Sequence, residues 1–473
     1  MKRIAIVGAG PAGLQAAIAA AQNGVEVTLI DGNTQPGGQY YRQPPANFRP
    51  QAPSKHQEKA AALIARLDHD RINYLSQTRV LSISADGRKM WLHRGHDLWE
   101  FEATAVILAT GAYDRPAAFP GWTLPGVMSV GAAQTAIKGQ RVLPGKKILL
   151  AGTGPLLLAA GANLVWGGAE VAFVLEASNF TDHITSKNWS ALWGQWPRLR
   201  EGANYLLALR KAGAVYRTGW SVIKALGTAE EGVTGAVIAP LDGQWQPLIE
   251  KAEKVECDTI CIGYGFIPET ALGRLAGAAH GYQNELGGWV PQRDPFLQTS
   301  VSGLYAVGDG AGIGGAVLSE LEGRLAGTAA SLAQDGEHKP EFKRKLKPQI
   351  KGLEKERKFQ KLYSQLFTPQ PGMHSWAQED TVICRCENVN RAAIESAVVL
   401  GAQTINEVKG LTRAGMGSCQ GRLCSHLVAG QIARLTGKLH ADCGLSSIRP
   451  PINPLALADV TGRGPTIEEG GES

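Results

Sequence analysis

The chain has 473 residues, of which 44% are apolar and 19% charged. This is the composition of a globular protein long enough for about three domains. Seven cysteines, four of them clustered near the C-terminus, exclude a secreted disulfide framework. We therefore expect a reducing, cytoplasmic location and a metal or redox role for the cluster.

The first predicted elements are a strand, a glycine turn and a helix in IAIVGAGPAGLQAA. Gly8, Gly10 and Gly13 follow the apolar strand, with spacing that allows a tight turn, a close backbone approach to pyrophosphate and close helix–strand packing. Asp31 ends the next strand, where a carboxylate can accept hydrogen bonds from ribose hydroxyls. The pattern predicts a dinucleotide site but does not distinguish FAD from NAD.

Three further stretches favour FAD. AVILATGAYDRP is an apolar strand that ends at Thr110 and Gly111, and GGQYYRQ would let its backbone and Gln39 lie close to the flavin ring. TSVSGLYAVGDGAGIGGA ends a short strand at Gly308 and Asp309 and then begins a helix. Asp309 suits a ribityl hydroxyl, and the positive helix end can stabilise a reduced flavin ring.

On these motifs the chain resembles the two-dinucleotide-domain flavoproteins, the superfamily of thioredoxin and glutathione reductases. The resemblance implies an α/β fold with two Rossmann-like domains: an FAD domain at 1–115 and 266–330, split by an NAD-like insert at 116–265. GGQYYRQPP lacks the redox cysteine pair of that superfamily, which disfavours disulfide reduction. The resemblance implies cofactor contacts at Gly8, Gly10, Pro11, Ala12, Gly13, Asp31, Gly32, Gly38, Gln39, Val80, Thr110, Gly111, Gly308 and Asp309.

The second strand–turn–helix, KILLAGTGPLLLAAGANL, departs from the glycine pattern. Gly152 and Gly154 fit, but Leu157 stands at the third position and should push the helix off the strand or block the pyrophosphate. Glu176 takes the ribose-acid position. We expect a retained fold without a catalytic nucleotide, a site that could still hold another adenine nucleotide; the alternative is a working pyridine-nucleotide site, in which Glu176 would favour NAD over NADP.

A basic connector, predicted at 331–379, follows the flavin domain. Its segment 339–361 holds ten Lys/Arg and three Glu, a net charge of +7, so that the remainder of the chain carries −1 of the total +6. Apolar residues at helical spacing are interrupted at Pro348. The segment is a solvated connector or a docking surface for an acidic partner or an anionic membrane. Nucleic acid is not expected, because no aromatic residues interleave the basic ones.

Four cysteines close the functional part of the sequence: Cys384, Cys386, Cys419 and Cys424. Two close thiol pairs suit a metal that takes four sulfurs, either zinc or an iron–sulfur cluster. A helix, a turn and a second helix are predicted between the pairs. This module resembles the bacterioferritin-associated-ferredoxin-like [2Fe–2S] domain over about 380–440, which leaves 441–473 as a tail.

The whole chain resembles the α (or A) subunits of bacterial heteromeric amine and imino-acid dehydrogenases, such as opine oxidases, D-hydroxyproline dehydrogenase and hydrogen cyanide synthase. The resemblance implies a D-amino-acid-oxidase-like partner that carries its own FAD and the amine substrate, and it allows an FMN between the subunits. Electrons would pass through flavin and cluster to a quinone-like acceptor, with peripheral membrane contact. Members differ in whether the N-terminal site holds FAD, ATP or NAD.

No motif marks a general base for amine oxidation, so no catalytic residue is assigned. Two alternatives stay open at this point. One is a stand-alone NAD(P)H-dependent flavin and iron–sulfur reductase, and the other is a non-enzymatic scaffold with a zinc module.

Overall fold

A computed structural model of the chain describes residues 2–45, 55–179, 196–333 and 340–461. The strands in chain order are β1 Arg3–Val7, β2 Glu26–Ile30, β3 Ile72–Leu75, β4 Arg79–Ile83, β5 Lys89–Arg94, β6 Asp97–Glu102, β7 Ala105–Leu108, β8 Ala112–Asp114, β9 Val127–Ser129, β10 Lys147–Thr153, β11 Glu170–Glu176, β12 Val215–Thr218, β13 Trp220–Thr228, β14 Gly232–Pro240, β15 Glu253–Val255, β16 Thr259–Tyr264, β17 Phe266–Pro268, β18 His280–Gln283, β19 Gly288–Pro291, β20 Leu304–Ala306, β21 Val382–Cys384 and β22 Val389–Asn390.

The helices in chain order are α1 Pro11–Gln22, α2 Lys55–Ala65, α3 Val130–Thr135, α4 Leu156–Trp166, α5 Trp196–Lys211, α6 Ala271–Leu275, α7 Gly315–Leu332, α8 Pro340–Phe367, α9 Arg391–Val399, α10 Ile405–Thr412, α11 Ser425–Thr436 and α12 Leu457–Val460. None of the helices in the described ranges combines the length and the apolar character that a bilayer crossing requires.

The first half of the fold is a five-stranded parallel sheet in the order β20-β7-β1-β2-β3. Strand β1 pairs with β2 on one side and with β7 on the other. The carboxyl end of β1 is therefore a topological switch point, where ligands of such sheets bind. Helices α1 and α7 pack closely on the sheet. The two helices approach so closely that only glycine fits at Gly323, because a Cβ there would lie 2.0 Å from the Ala12 carbonyl oxygen.

The insert contains a second parallel sheet in the order β12-β11-β10-β16-β9. Its central strands β10 and β16 are apolar and buried, as expected for a parallel sheet that is covered on both faces. Helices α4 and α5 cover one face. They meet where the Leu209 side chain of α5 packs against Gly161 of α4. The antiparallel strands β13, β14 and β15 lie on the other face.

Helix α8 runs for 28 residues through Pro348, so the expected interruption at that residue is wrong. The helix is held by tertiary contacts, since Leu346 and Leu353 are buried in the core of the first domain. Farther along, Glu356 forms an ion pair with Arg198 of the insert at 2.6 Å. The connector is therefore a structural bridge between the two dinucleotide domains and not only a solvated spacer.

The C-terminal module consists of β21, β22 and the helices α9, α10 and α11. Its core is continuous with the core of the insert. Two indole groups join them: Trp122 Nε1 donates to the Val382 carbonyl at 2.6 Å, and Trp376 Nε1 donates to the Trp245 carbonyl at 2.8 Å. The domain boundaries given above stay predictions. Residues 462–473 of the predicted tail lie outside the described ranges.

Candidate functional site

The first glycine turn leaves no room for side chains. Gly8 has φ +105°, and a Cβ there would lie 2.3 Å from the Ala109 carbonyl oxygen. A Cβ at Gly13 would lie 1.7 Å from the Gly8 carbonyl oxygen, and a Cβ at Gly38 would lie 2.8 Å from the Gly10 Cα. The backbone of the turn is thus bare on the side where helix α1 begins, with Pro11 and Ala12 in its first turn. This arrangement fits a pyrophosphate, which the free N–H groups of a helix start attract.

The acid at the end of β2 is held in place by its neighbours. Asp31 is buried, and its Oδ2 accepts from the Ala9 amide at 2.6 Å. Its Oδ1 accepts from the backbone and the side-chain amide of Asn33, both at 2.7 Å. Gly32 follows and is exposed. The carboxylate is therefore fixed beside the glycine turn, as a ribose-binding acid must be.

Val80 lies near Asp31, and its side chain is buried. The Thr78 amide donates to the Asp31 carbonyl at 2.9 Å, which places the start of β4 next to the turn. The C-terminal segment runs alongside, since the Ile452 amide donates to the Leu81 carbonyl at 2.9 Å and Asn453 Nδ2 lies 3.5 Å from the Val80 carbonyl oxygen. The structure thus brings the tail to this edge of the site, a contact that sequence reasoning missed.

Thr110, Gly111, Gly308 and Asp309 come together at the carboxyl ends of β7 and β20. A Cβ at Gly310 would lie 2.6 Å from the Thr110 hydroxyl, so the two loops touch. Asp309 Oδ1 accepts from the Gly314 and Gly315 amides at 3.0 and 2.9 Å, directly at the start of α7. Burial raises the pKa of Asp309. Gln39, by contrast, is exposed on the turn that follows Gly38 and accepts from the Thr135 hydroxyl of the insert at 3.4 Å.

Glu322 is a functional-site residue that the sequence pattern did not reveal. It is almost fully buried in α7, and its Oε2 accepts from the Gly308 amide at 2.9 Å. Arg293 and Arg357 each donate to the carboxylate at 2.9 Å. These arginines lower the pKa of Glu322 even though burial opposes them. The available signal was a second Glu, two residues after Glu320, in the helix segment SELEGRLAG.

The second glycine turn has a different geometry from the first. Helix α4 begins at Leu156, two residues after Gly154, whereas α1 begins directly after Gly10. The Leu157 side chain is buried in the core of the insert, so the helix stays packed on the sheet. The two turns also differ in backbone conformation, since Gly154 has φ +104° whereas Gly10 has φ −76°.

Helix α8 covers this second turn. The Tyr363 hydroxyl lies 3.8 Å from the position of a Cβ on Gly154, and the charges of Glu176 and Asp309 help burial to raise the pKa of Tyr363. Glu176 is buried, and its Oε2 accepts from the Gly154 amide at 2.9 Å. Burial raises the pKa of Glu176 to about 7. The place where a second dinucleotide would lie is thus bordered by the chain's own connector.

The four clustered cysteines approach one another across the two segments. Cys384 lies beside Cys424, and Cys386 lies beside Cys419. The Cys424 thiol and the backbone amides of the loop lower the pKa of Cys384 to about 5, and the Gly415 amide lies 3.4 Å from its sulfur. Correspondingly, the pKa of Cys424 is raised.

A glycine and the burial of two of the cysteines characterise the surroundings of the four sulfurs. A Cβ at Gly417 would lie 2.2 Å from the Cys386 Cβ, so only glycine fits there. Cys384 and Cys424 are buried, whereas Cys386 is exposed. Within the described ranges, no group of three or more Cys, His, Asp or Glu side chains is arranged to bind a metal ion. The role of the four cysteines as cluster ligands stays a prediction.

Comparisons with known proteins place the chain in a family. The profile described as pyridine nucleotide-disulphide oxidoreductase matches residues 2–334. The chain belongs to this oxidoreductase family. A second profile, the sarcosine oxidase A3 domain, matches residues 378–463, the part that holds the four cysteines.

Members of the family resemble the chain along its full length. Hydrogen cyanide synthase subunit HcnB of Pseudomonas aeruginosa is 35% identical over 96% of this chain and 97% of its own. The A subunit of opine oxidase from Rhizobium meliloti is 31% identical over 97% of this chain and 86% of its own. The crystal structure of L-proline dehydrogenase from P. horikoshii shares the fold, with a TM-score of 0.67, 20% identity and coverage of 97% of this chain and 80% of that chain.

These findings confirm the predicted fold class and the predicted resemblance to the A subunits of heteromeric amine dehydrogenases. The family match also supports a flavin cofactor and a flavin-dependent oxidoreductase activity. The individual cofactor contacts stay predictions, although the structure brings most of them to one edge of the first sheet.

Proposed function

We propose that the chain is the electron-transferring flavoprotein subunit of a heteromeric dehydrogenase or oxidase that acts on the C–N bond of an amino acid, imino acid or opine. The observation that carries the proposal is the full-length similarity to HcnB and to the A subunit of opine oxidase, both named as subunits. The four cysteines that converge beside a flavin-type fold support the electron-transfer role.

FAD is the proposed ligand of the first site. The bare turn around Gly8 and Gly10 would take the pyrophosphate, and Asp31 would accept from the ribose. Asp309 at the start of α7 would accept from the ribityl chain, and the positive end of the helix would favour negative charge on the ring. In this arrangement Glu322 holds the Gly308 turn in position.

The four cysteines are the proposed ligands of a [2Fe–2S] cluster. The donor chemistry fits, because two segments bring two thiol pairs to the same region, Cys384 beside Cys424 and Cys386 beside Cys419, and the Gly415 amide lies 3.4 Å from the Cys384 sulfur. When bound, flavin supplies two-electron chemistry and an iron–sulfur cluster supplies one-electron transfer. Burial of Cys384 and Cys424 would shield the cluster, while the exposed Cys386 marks the side from which electrons could leave.

A stand-alone NAD(P)H-dependent reductase is less well supported. The shifted start of α4 and the hydroxyl of Tyr363 beside Gly154 leave the second turn unlike the first. This difference favours a site that does not use NAD.

The proposed partner is a D-amino-acid-oxidase-like chain that carries its own FAD and the amine substrate. An FMN between the subunits and a quinone-like final acceptor complete the proposed path. The exposed lysines of α8, such as Lys351, Lys355 and Lys358, are the surface that would contact an anionic membrane in that case.

The decisive experiment is the absorption spectrum of the anaerobically purified chain, before and after dithionite, with identification of the released cofactors. Flavin bands on an iron–sulfur background, together with released FAD, would support the proposal. A colourless protein with stoichiometric zinc would contradict it. Release of ATP in place of FAD would contradict the FAD assignment alone, and bleaching of the flavin by NADH would favour the stand-alone reductase.

A further inference from the structure

A cavity of about 110 Å³ lies between the flavin domain and the loop that carries Cys419 and Cys424. Its walls come from β8, the β17–α6 segment, the loop before α11 and the segment at 444–448. None of the cofactor contacts or cysteine ligands predicted from the sequence is among the residues that line it. The cavity therefore needs an explanation of its own.

Arg115 is the central group of this wall. Its side chain is almost completely buried, with 5% of the residue exposed. Nη2 donates to the Gly287 carbonyl at 2.8 Å, but Nε has no hydrogen-bond partner. Among the residues that the structure describes, Arg115 forms no ion pair. A buried guanidinium without a counter-charge is costly, because carbonyl groups do not replace an anion.

The one carboxylate in the wall is already engaged. Glu269 Oε2 accepts from Arg422 Nε at 2.8 Å and from the Tyr113 hydroxyl, and Oε1 accepts from the Ala271 amide at 2.8 Å. Arg274 also lines the cavity and donates to the Ser446 carbonyl. Three arginines thus face one glutamate, and the wall carries an excess of positive charge.

Three other residues of the wall each carry a buried polar atom without a hydrogen-bond partner: His426 Nδ1, Gln420 Oε1 and Ser446 Oγ. His426 Nε2 lies 3.0 Å from the Pro116 carbonyl oxygen and therefore carries the ring proton, which leaves Nδ1 as an acceptor. Gln420 Nε2 donates to the Pro451 carbonyl at 2.8 Å, so its Oε1 is likewise an acceptor. The cavity offers donors for an oxyanion and, separately, acceptors for a hydrogen-bond donor.

We infer that this cavity is a binding site for a small oxyanion that also donates hydrogen bonds, either an amino-acid carboxylate with its ammonium group or a hydrogen phosphate. Arg115 Nε and the Ser446 hydroxyl bind the oxyanion, while His426 Nδ1 and Gln420 Oε1 accept from the donor group. Water alone does not account for the site, because a neutral molecule leaves the charge of Arg115 uncompensated. Because Gln420 and His426 flank the cysteine loop, the bound molecule would join this loop to the flavin domain.

The test is isothermal titration of the full chain, together with any partner that co-purifies, at constant ionic strength. The probes are glycine, inorganic phosphate and acetate, which has the carboxylate but no donor group. We expect saturable binding of glycine or phosphate and at least about tenfold weaker binding of acetate. R115Q should weaken the binding by at least about tenfold, whereas R71Q, which alters an exposed ion pair with Glu26, should leave it unchanged.

A second variant keeps Arg115 in case R115Q does not fold. A429L places a larger side chain into the wall from α11 and should abolish binding without removing a charge. Preferential binding of glycine would identify an amino-acid site, and preferential binding of phosphate would identify a phosphate site. If the site is already filled, denaturation should release a small anion from the wild-type chain but not from A429L.

Two results would overturn the inference. One is equal binding of the probes by the wild type, R115Q and A429L. The other is an absence of binding of all three probes by a wild-type protein that also releases no small anion on denaturation.

Discussion

Replacing Glu322 by alanine removes a carboxylate that joins three parts of the flavin domain. In the wild type it accepts from the Gly308 amide, from Arg293 and from Arg357, each at 2.9 Å. The Glu322 and Arg293 side chains are only 3% and 13% exposed. The substitution therefore leaves a guanidinium and a backbone N–H without their acceptor in a place that water reaches poorly.

The expected loss follows from these burials. Removing one partner of a buried ion pair lowers the free energy of unfolding by about 3–5 kcal/mol, since the remaining charge is left uncompensated. Arg357 adds little because its side chain is 42% exposed and water can replace the pair. We therefore expect E322A to lower the free energy of unfolding of the flavin domain by about 3–5 kcal/mol, and the isosteric E322Q by about 1–3 kcal/mol.

Urea unfolding followed by flavin fluorescence measures this loss, with E354Q on the exposed face of α8 as the control. The Gly308 turn should loosen in E322A, so its flavin content after purification should also fall. The arginines lower the pKa of Glu322, so its contribution is present above the unfolded pKa of about 4.3 and is lost as the pH falls through the lower folded pKa. A difference between E322A and the wild type below about 1 kcal/mol at pH 7 would refute the reasoning.

Four further predictions concern the separate sites. G8A should abolish flavin retention, because its Cβ would overlap the Ala109 carbonyl, and the purified chain should lack flavin absorption. Serine at any of the four clustered cysteines should abolish iron binding, whereas C443S should keep the iron content, as measured by iron and sulfide assays. G417A should lower the iron content but keep the flavin, because its Cβ would overlap Cys386. Burial raises the pKa of Glu176 to about 7, so the buried acid destabilises the fold increasingly from about pH 4.5 to pH 7; E176Q should match the wild type in thermal stability near pH 4.5 and exceed it at pH 8, and equal melting temperatures at pH 8 would contradict this.

Local patterns predicted the parts of the site whose function depends on backbone geometry. Gly8 and Gly13 are required by close backbone approaches, to the carbonyl oxygens of Ala109 and Gly8, and the glycine spacing of such turns is a recognisable pattern. The helices between the cysteine pairs were also readable, since an Asn390 cap and a Thr404–Glu407 capping box mark their starts.

Tertiary contacts decided the features that the sequence did not reveal. Helix α8 continues through Pro348 because Leu346 and Leu353 dock on the first domain, and propensity alone cannot report that docking. Tyr363 reaches the second turn only because α8 is anchored in this way. Arg115 was visible in the motif ATGAYDRP, but its lack of a counter-charge depends on where Glu269 and Arg422 meet.

These contacts account for the complete sheet of the insert. A dinucleotide domain that does not bind its nucleotide would be free to erode, yet this one keeps a complete parallel sheet. Its retained surfaces are those that hold other parts of the chain: Trp122 and Trp245 secure the segment that leads to the first cysteine pair, and Arg198 pairs with α8. These contacts hold the C-terminal module and helix α8 against the insert, so the insert fixes where the cysteines lie relative to the first sheet.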